Sequence, residues 1–170
     1  MEVTEAIRTR LEIREYADEA VDAEVIETIL DAGRLAPSGK NLQHWDFVVV
    51  RESEDIAKLA SLSTTGGWVR KAAFAVVIAT DPTYDYHEID AGRAVTHMQL
   101  AAWEEGIGSC IYTGYDESEM RDFLDIPDSQ AITLVAGFGY PTEPVESFVG
   151  RKDRASLSEV VHDRRYGEPW

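Results

Sequence analysis

Two sets of residues in this chain do more than folding requires. The first is the run Leu35-Ala36-Pro37-Ser38-Gly39-Lys40-Asn41-Leu42-Gln43-His44-Trp45. Pro37 fixes a backbone angle, Gly39 permits close approach, and Ser38, Asn41 and Gln43 aim hydrogen-bonding groups. Trp45 adds an aromatic anchor. Such a loop suits a ligand better than a linker. The second set is basic. Thirty-two acidic residues against sixteen basic ones leave a formal charge of −16, yet half of the basic residues lie in two short terminal segments. These are Arg8, Arg10 and Arg14 near the start, and Arg151, Lys152, Arg154, Arg164 and Arg165 near the end. Arg forks bind phosphate bidentately and Lys adds a point charge. Surface charge pairing, worth about 0–1 kcal/mol per exposed pair, explains the clusters equally well on composition alone.

The bulk numbers narrow the setting. A chain of 170 residues is expected to form one domain, 1–170, with a sizeable core. Its acidity opposes nucleic acid as a partner, because a phosphate backbone needs a basic face. Four Lys against twelve Arg on an acidic chain suit a salt-rich cytosol, where screening suppresses self-repulsion. The chain is read as halophilic, with an ordinary acidic protein as the alternative. Cys110 is alone, so no internal disulfide is expected. The first thirty residues lack an apolar signal core, and the longest apolar run, Ala72 to Ala79, is too short to span a bilayer. A cytoplasmic protein without membrane contact is expected.

Alternating helical and extended patterns must position these residues. Val25, Ile26, Ile29 and Leu30 recur at helical spacing after Asp22, a candidate cap, and Pro37 stops that helix. Phe47–Val50 reads as a strand, and Ser53 as the cap of a helix carrying Ile56, Leu59 and Leu62. Ala73–Thr80 is apolar throughout and so a central strand. The helix from Ile89 to Glu105, ended by Gly106, is apolar over most of its circumference. That makes it a core helix or part of a subunit interface. Ser109–Tyr112 and Ala131–Phe138 are strands around a helix at Asp116–Leu124, and Ser156-Leu157-Ser158-Glu159 is a capping box. Alternation of this kind normally argues a parallel doubly wound sheet. The glycine-rich strand-to-helix turn is missing, however: Gly137-Phe138-Gly139 runs into Tyr140-Pro141. The pattern alone leaves topology open.

Three separated stretches together resemble the FMN-dependent nitroreductase family. Ile7-Arg8-Thr9-Arg10-Leu11-Glu12-Ile13-Arg14-Glu15-Tyr16 is similar to the family's opening Arg-Arg-Ser-x-Arg-x-aromatic pattern. Ala36-Pro37-Ser38-Gly39-Lys40-Asn41-Leu42-Gln43-His44-Trp45 resembles its Ala-Pro-Ser-x-x-Asn-x-Gln-Pro-Trp loop. Gly139-Tyr140-Pro141, then Arg151-Lys152-Asp153-Arg154 and Leu157-Ser158-Glu159-Val160-Val161, resemble its C-terminal part. The resemblance implies an α+β nitroreductase-like fold, a mixed central sheet flanked by helices, in an intertwined homodimer. It implies FMN as cofactor, its phosphate on Arg10, Arg14, Lys152 and Arg154, with Leu11 and Glu12 on the same segment. Glu12 stands where the family usually has Ser, and a carboxylate beside a phosphate is unfavourable unless an Arg pairs with it. Pro37 and Ser38, with Gly39 and Asn41, carry over as the loop that reaches the flavin of the partner subunit. Thr113 and Gly114 fit the segment whose amide faces flavin N5. His44 replaces a Pro and is read as structural. Thr64, Thr65 and Gly66 occupy a region that contacts the flavin in many relatives but show no match, so their role stays unassigned.

The activity implied is hydride transfer from NAD(P)H through the flavin to nitroaromatic, quinone-like or related electron-poor acceptors. No side-chain catalyst is required, and none is conspicuous. The rival is a flavin-binding protein of the same fold acting as a flavin-modifying enzyme, a dehalogenase-like variant or a redox-sensing module. His44, His87, His97 and His162 show no metal-binding spacing, and Asp81, Asp85 and Asp90 lack a calcium loop's central glycine. Cys110 is expected to be a packed small residue, and Trp45, Trp68 and Trp103 core anchors. Trp170 makes sense mainly if the tail docks, and another subunit is the expected place.

Overall fold

The computed structural model describes residues 1–148 and 153–170. In chain order the elements are α1 (Val3–Thr9), α2 (Ala23–Arg34), β1 (Trp45–Val50), α3 (Ser53–Leu62), β2 (Phe74–Thr80), α4 (His87–Glu104), β3 (Gly108–Tyr112), α5 (Glu117–Leu124), β4 (Ala131–Gly139) and α6 (Leu157–Val160). Short 3-10 turns lie at Gly39–Asn41, Gly67–Lys71 and Val145–Phe148.

The four strands order as β1-β2-β4-β3, and every neighbouring pair is antiparallel. Among the described residues, parallel pairing enters only at an isolated bridge between Glu12 and Ser109. The parallel doubly wound sheet suggested by alternation alone does not form, and the connections show why. Val50 pairs with Ala75 and Trp45 with Thr80, so β1 ends where β2 begins. The chain between them runs out along α3 and back through the Gly67–Lys71 turn. Between β2 and β3 the helix α4 is a true crossover, leaving those strands pointing the same way, but β4 inserts between them. The fold is α+β.

Period-two alternation in β2 builds both core layers. Phe74, Val76 and Ile78 pack under α2 and α4 with Ile29, Met98 and Phe138. Ala75, Val77 and Ala79 face the other way, toward Leu59, Val69, Trp103 and Met120. The rings of Phe74 and Phe138 stack at 4.9 Å across β2 and β4. Helix α4 therefore serves as a core helix: Ala91, Ala94, Val95, Met98, Ala102 and Trp103 are buried. It ends at Gly106, whose φ of +76° a side chain would disfavour.

Local signals hold with small shifts. Asp116 caps α5 by accepting the Glu119 N–H at 2.9 Å, and Ser156 and Glu159 form the expected capping box on α6. Ser53 is the first residue of α3 rather than its cap, which is Glu52. Helix α1 has no apolar period to announce it. It is pinned by tertiary contact, with the Trp103 indole Nε1–H donating to Thr9 Oγ1 at 2.9 Å.

Candidate functional site

Helix α1 stops at Arg10, and the chain then runs extended along the outer edge of β3. The Ile13 N–H donates to Ser109 O at 2.9 Å, beside the Glu12–Ser109 bridge. Gly108 makes this approach possible, since a Cβ there would lie 2.8 Å from the Ile13 side chain. Alternation then sorts the strap. Leu11 and Ile13 turn into the core, and Arg10, Glu12 and Arg14 take the other face. Arg10 Nη1 meets Glu12 Oε1 at 2.6 Å, and Gln99 Nε2 lies 3.5 Å from the same oxygen. The arginine pairing that a carboxylate at position 12 requires is therefore present.

Charge and burial set the protonation states here. Burial pushes the Glu12 carboxyl up, but the hydrogen bond and charge of Arg10, with the Cys110 thiol and the Ile111 amide, outweigh it. The net effect is a carboxyl below its ordinary value. The Cys110 thiol moves the other way: burial, then the hydrogen bond and charge of Glu12, push it up to about 12. Cys110 is a packed, protonated thiol.

Past Tyr112 the β3 ladder ends, so the N–H groups of Thr113 and Gly114 lie beyond it. Segment 63–66 closes over them. The Thr64 N–H donates to Gly114 O at 2.9 Å and the Asp116 N–H to Leu62 O at 2.8 Å. A Cβ on Gly114 would strike the hydroxyls of Thr64 and Thr65, and one on Gly66 the ring of Tyr112. Thr64 and Thr65, which sequence reasoning left without a role, thus lie directly against Gly114, and Gly66 against Tyr112.

The Pro37–Asn41 loop sits elsewhere, against the first turn of α4. The Gly39 N–H donates to Asp90 Oδ2 at 2.7 Å, and the Gln43 N–H to Ser38 Oγ at 3.0 Å. His44 is buried and structural, as expected, with Nε2 3.1 Å from the same Asp90 oxygen. Asp90 is the residue that sequence reasoning missed. Its signal was a lone acid on the apolar side of a helical pattern.

One chain therefore gathers the candidate residues into two separate groups. Arg10, Leu11, Glu12 and Arg14 line β3, with Thr113 and Gly114 at its end. Pro37, Ser38, Gly39 and Asn41 form the other, in which Gly39 bonds to α4 and Ser38 and Asn41 to their own loop. The Val145–Phe148 turn packs on α1, returning the C-terminal part to the strap's side of the molecule. Arg154 is exposed, its guanidinium on the Asp153 carbonyl at 2.5 Å. Lys152 lies outside the described residues.

The profile of the Nitroreductase family matches residues 7–66 and 61–140. The chain belongs to the nitroreductase family. An Archaeoglobus fulgidus protein that carries the provisional name NADH dehydrogenase/NAD(P)H nitroreductase is 35% identical over 99% of this chain and 99% of its own. Among solved structures, an FMN-dependent nitroreductase of Clostridium difficile R20291 superposes with a TM-score of 0.82 at 29% identity, covering 95% of this chain and 98% of that one. A Bacteroides thetaiotaomicron protein with the same provisional name reaches 0.86 at 26% identity, covering 96% and 98%. The nitroreductase profile spans the strap, the Pro37–Asn41 loop and β3, and stops before Lys152 and Arg154.

Proposed function

We propose that this protein is an NAD(P)H-dependent FMN oxidoreductase that passes hydride to nitroaromatic, quinone-like or related electron-poor acceptors, working as a homodimer. The observation that carries the reading is the strap. In a chain of charge −16, two guanidinium groups, Arg10 and Arg14, are set on one face beside the β3 edge. That donor set fits a phosphate, and the N–H groups of Thr113 and Gly114 beyond the ladder fit a ring with acceptor atoms. When bound, FMN supplies the hydride chemistry. Arg10 and Arg14, joined by Lys152 and Arg154, hold its phosphate. Leu11 and Glu12 flank it, Glu12 keeping its charge paired with Arg10. Pro37, Ser38, Gly39 and Asn41 cover the ring from the partner subunit. No side chain needs to move a proton.

Two features support the dimer. The tail from Asp153 to Trp170 has defined structure, yet Tyr166 is 95% and Trp170 79% exposed. Strand β1 is an unpaired sheet edge beside a cleft of about 590 Å³ lined by Leu30, Arg34, Gln43, Trp45, Phe47 and Val49. The exposed Tyr166 and Trp170 of one copy cover that cleft on the other.

The visible spectrum of the purified protein and its anaerobic bleaching test this. A yellow protein bleached by NADH or NADPH is expected, with colour restored by a quinone. A flavin that neither nucleotide reduces would overturn the enzyme reading, and no affinity for FMN would overturn the site.

A further inference from the structure

The Pro37–Asn41 loop holds a conformation that its residues resist. Lys40, Asn41 and Gln43 have φ of 52°, 56° and 51°, the left-handed region where a side chain crowds the carbonyl. Three such residues in four positions persist only if the surroundings over-determine them. Among the described residues the internal bonds are few: Asn41 N–H to Ser38 O at 3.0 Å, Leu42 N–H to Gly39 O at 3.1 Å, Gln43 N–H to Ser38 Oγ at 3.0 Å, and the Gln43 side-chain amide to Asn41 O at 3.3 Å. From outside, the Asp81 N–H donates to His44 O at 3.1 Å, and one carboxylate bonds both ends of the strained stretch.

Asp90, in the first turn of α4, is 1% exposed. Its Oδ2 accepts the Gly39 N–H at 2.7 Å and His44 Nε2 at 3.1 Å, and its Oδ1 accepts Arg93 Nη1 at 3.1 Å. Gly39 and His44 stand at the two ends of the strained stretch. The carboxylate thus ties both ends to a helix buried in the core. Because a carboxylate only accepts, His44 must carry its proton on Nε2. The Tyr86 ring lies where a Gly39 side chain would be, and Tyr84 sits 5.0 Å from the His44 ring.

We infer that Asp90 is the positioning residue of the site, a buried carboxylate that sets where Pro37 and Ser38 are presented to the flavin. The flavin part rests on the function proposed above; the hold on the loop does not.

Hydrogen exchange and FMN titration of full-length Asp90→Asn test it together. Exchange of the 38–44 amides is expected to speed at least tenfold, with β2 and β4 amides unchanged. The FMN dissociation constant should rise about tenfold, with the visible band moving toward that of free FMN. His44→Phe, which keeps the carboxylate and loses one donor, is expected to show a smaller change of the same kind. His44→Gln, whose amide can still donate, should restore wild-type behaviour. His44→Phe and His44→Gln decide the matter if Asp90→Asn does not fold. Unchanged loop exchange, or acceleration spread evenly over the sheet, would overturn the inference. If wild type binds no FMN, the proposed function fails, and the exchange arm alone decides on Asp90.

Discussion

The Pro37–His44 loop and the tail from Asp153 to Trp170 both hold defined shapes by opposite means. The loop is strained but held from outside, its two ends bonded to Asp90 on a core helix. The tail is satisfied largely from within. Ser156 and Glu159 cap α6, the Asp163 N–H donates to Glu168 O at 2.9 Å, and the His162 and Tyr166 rings lie 4.5 Å apart. Among the described residues, its hydrogen bonds never leave it. The tail leaves Tyr166 and Trp170 exposed, and the proposed dimer would cover them.

Removing Leu157–Trp170 should break this contrast most severely. Burying an aromatic or aliphatic side chain contributes roughly 1.5–3 kcal/mol, and the segment exposes Leu157, Val160, Tyr166 and Trp170. The truncated chain is expected to sediment as a monomer without flavin absorbance. A flavin-loaded monomer would show that the tail is not what completes the site. Low salt should weaken the full-length dimer in the same assay, because a charge of −16 on each chain is then unscreened.

On the loop side, Gly39→Ala sharpens the comparison by adding one methyl against Tyr86. Overpacking typically costs about 1–3 kcal/mol, and here it should appear as weaker FMN binding with the dimer intact. Unchanged affinity in a flavin titration would mean that the Tyr86 ring moves aside freely.

Arg10→Ala and Arg154→Ala each remove a charged donor, worth roughly 1.5–3 kcal/mol of FMN affinity. The two lie on the two segments that must meet at one phosphate. A double variant that still purifies yellow with undiminished affinity would refute the phosphate assignment.

The smallest effect is at Glu12. Glu12→Ser removes a carboxylate beside the proposed phosphate, and two unit charges about 4 Å apart in water interact by ~1 kcal/mol. FMN should therefore bind about fivefold more tightly, most visibly at low salt. The same carboxyl titrates below its ordinary value near 4.5, because Arg10 outweighs burial. Its stabilisation is complete above that value and is lost as pH falls through the lowered one. Acid unfolding of Glu12→Gln should lack this part of the acid limb. A curve identical to wild type would show that the Arg10 pair is fully screened by solvent.

Much of this was legible in residue order. The apolar run Phe74–Thr80 could only be a central strand, and Ser156 with Glu159 could only begin a helix. The strap and loop motifs already resembled those of the nitroreductase family, and the anion-binding capacity of clustered guanidinium forks is local chemistry. Asp90 was not legible as an anchor. Its partners Gly39 and His44 lie 51 and 46 residues away, and no local pattern marks a carboxylate that a distant loop will need. Helix α1 was equally hidden, since its hold on the molecule is the Trp103–Thr9 bond across 94 residues.

Apart from α1, sequence alone therefore determined which segments are helix or strand, which faces are apolar, and which side chains could hold an anion. Those are properties of steric preference, periodicity and charge within a few residues. Tertiary structure alone decided that the strands run antiparallel, that Thr64 and Thr65 close over Gly114, and that a single buried carboxylate sets a strained loop. Each of these depends on which distant segments share a core, and the free energy that selects them comes from packing both faces of β2 at once.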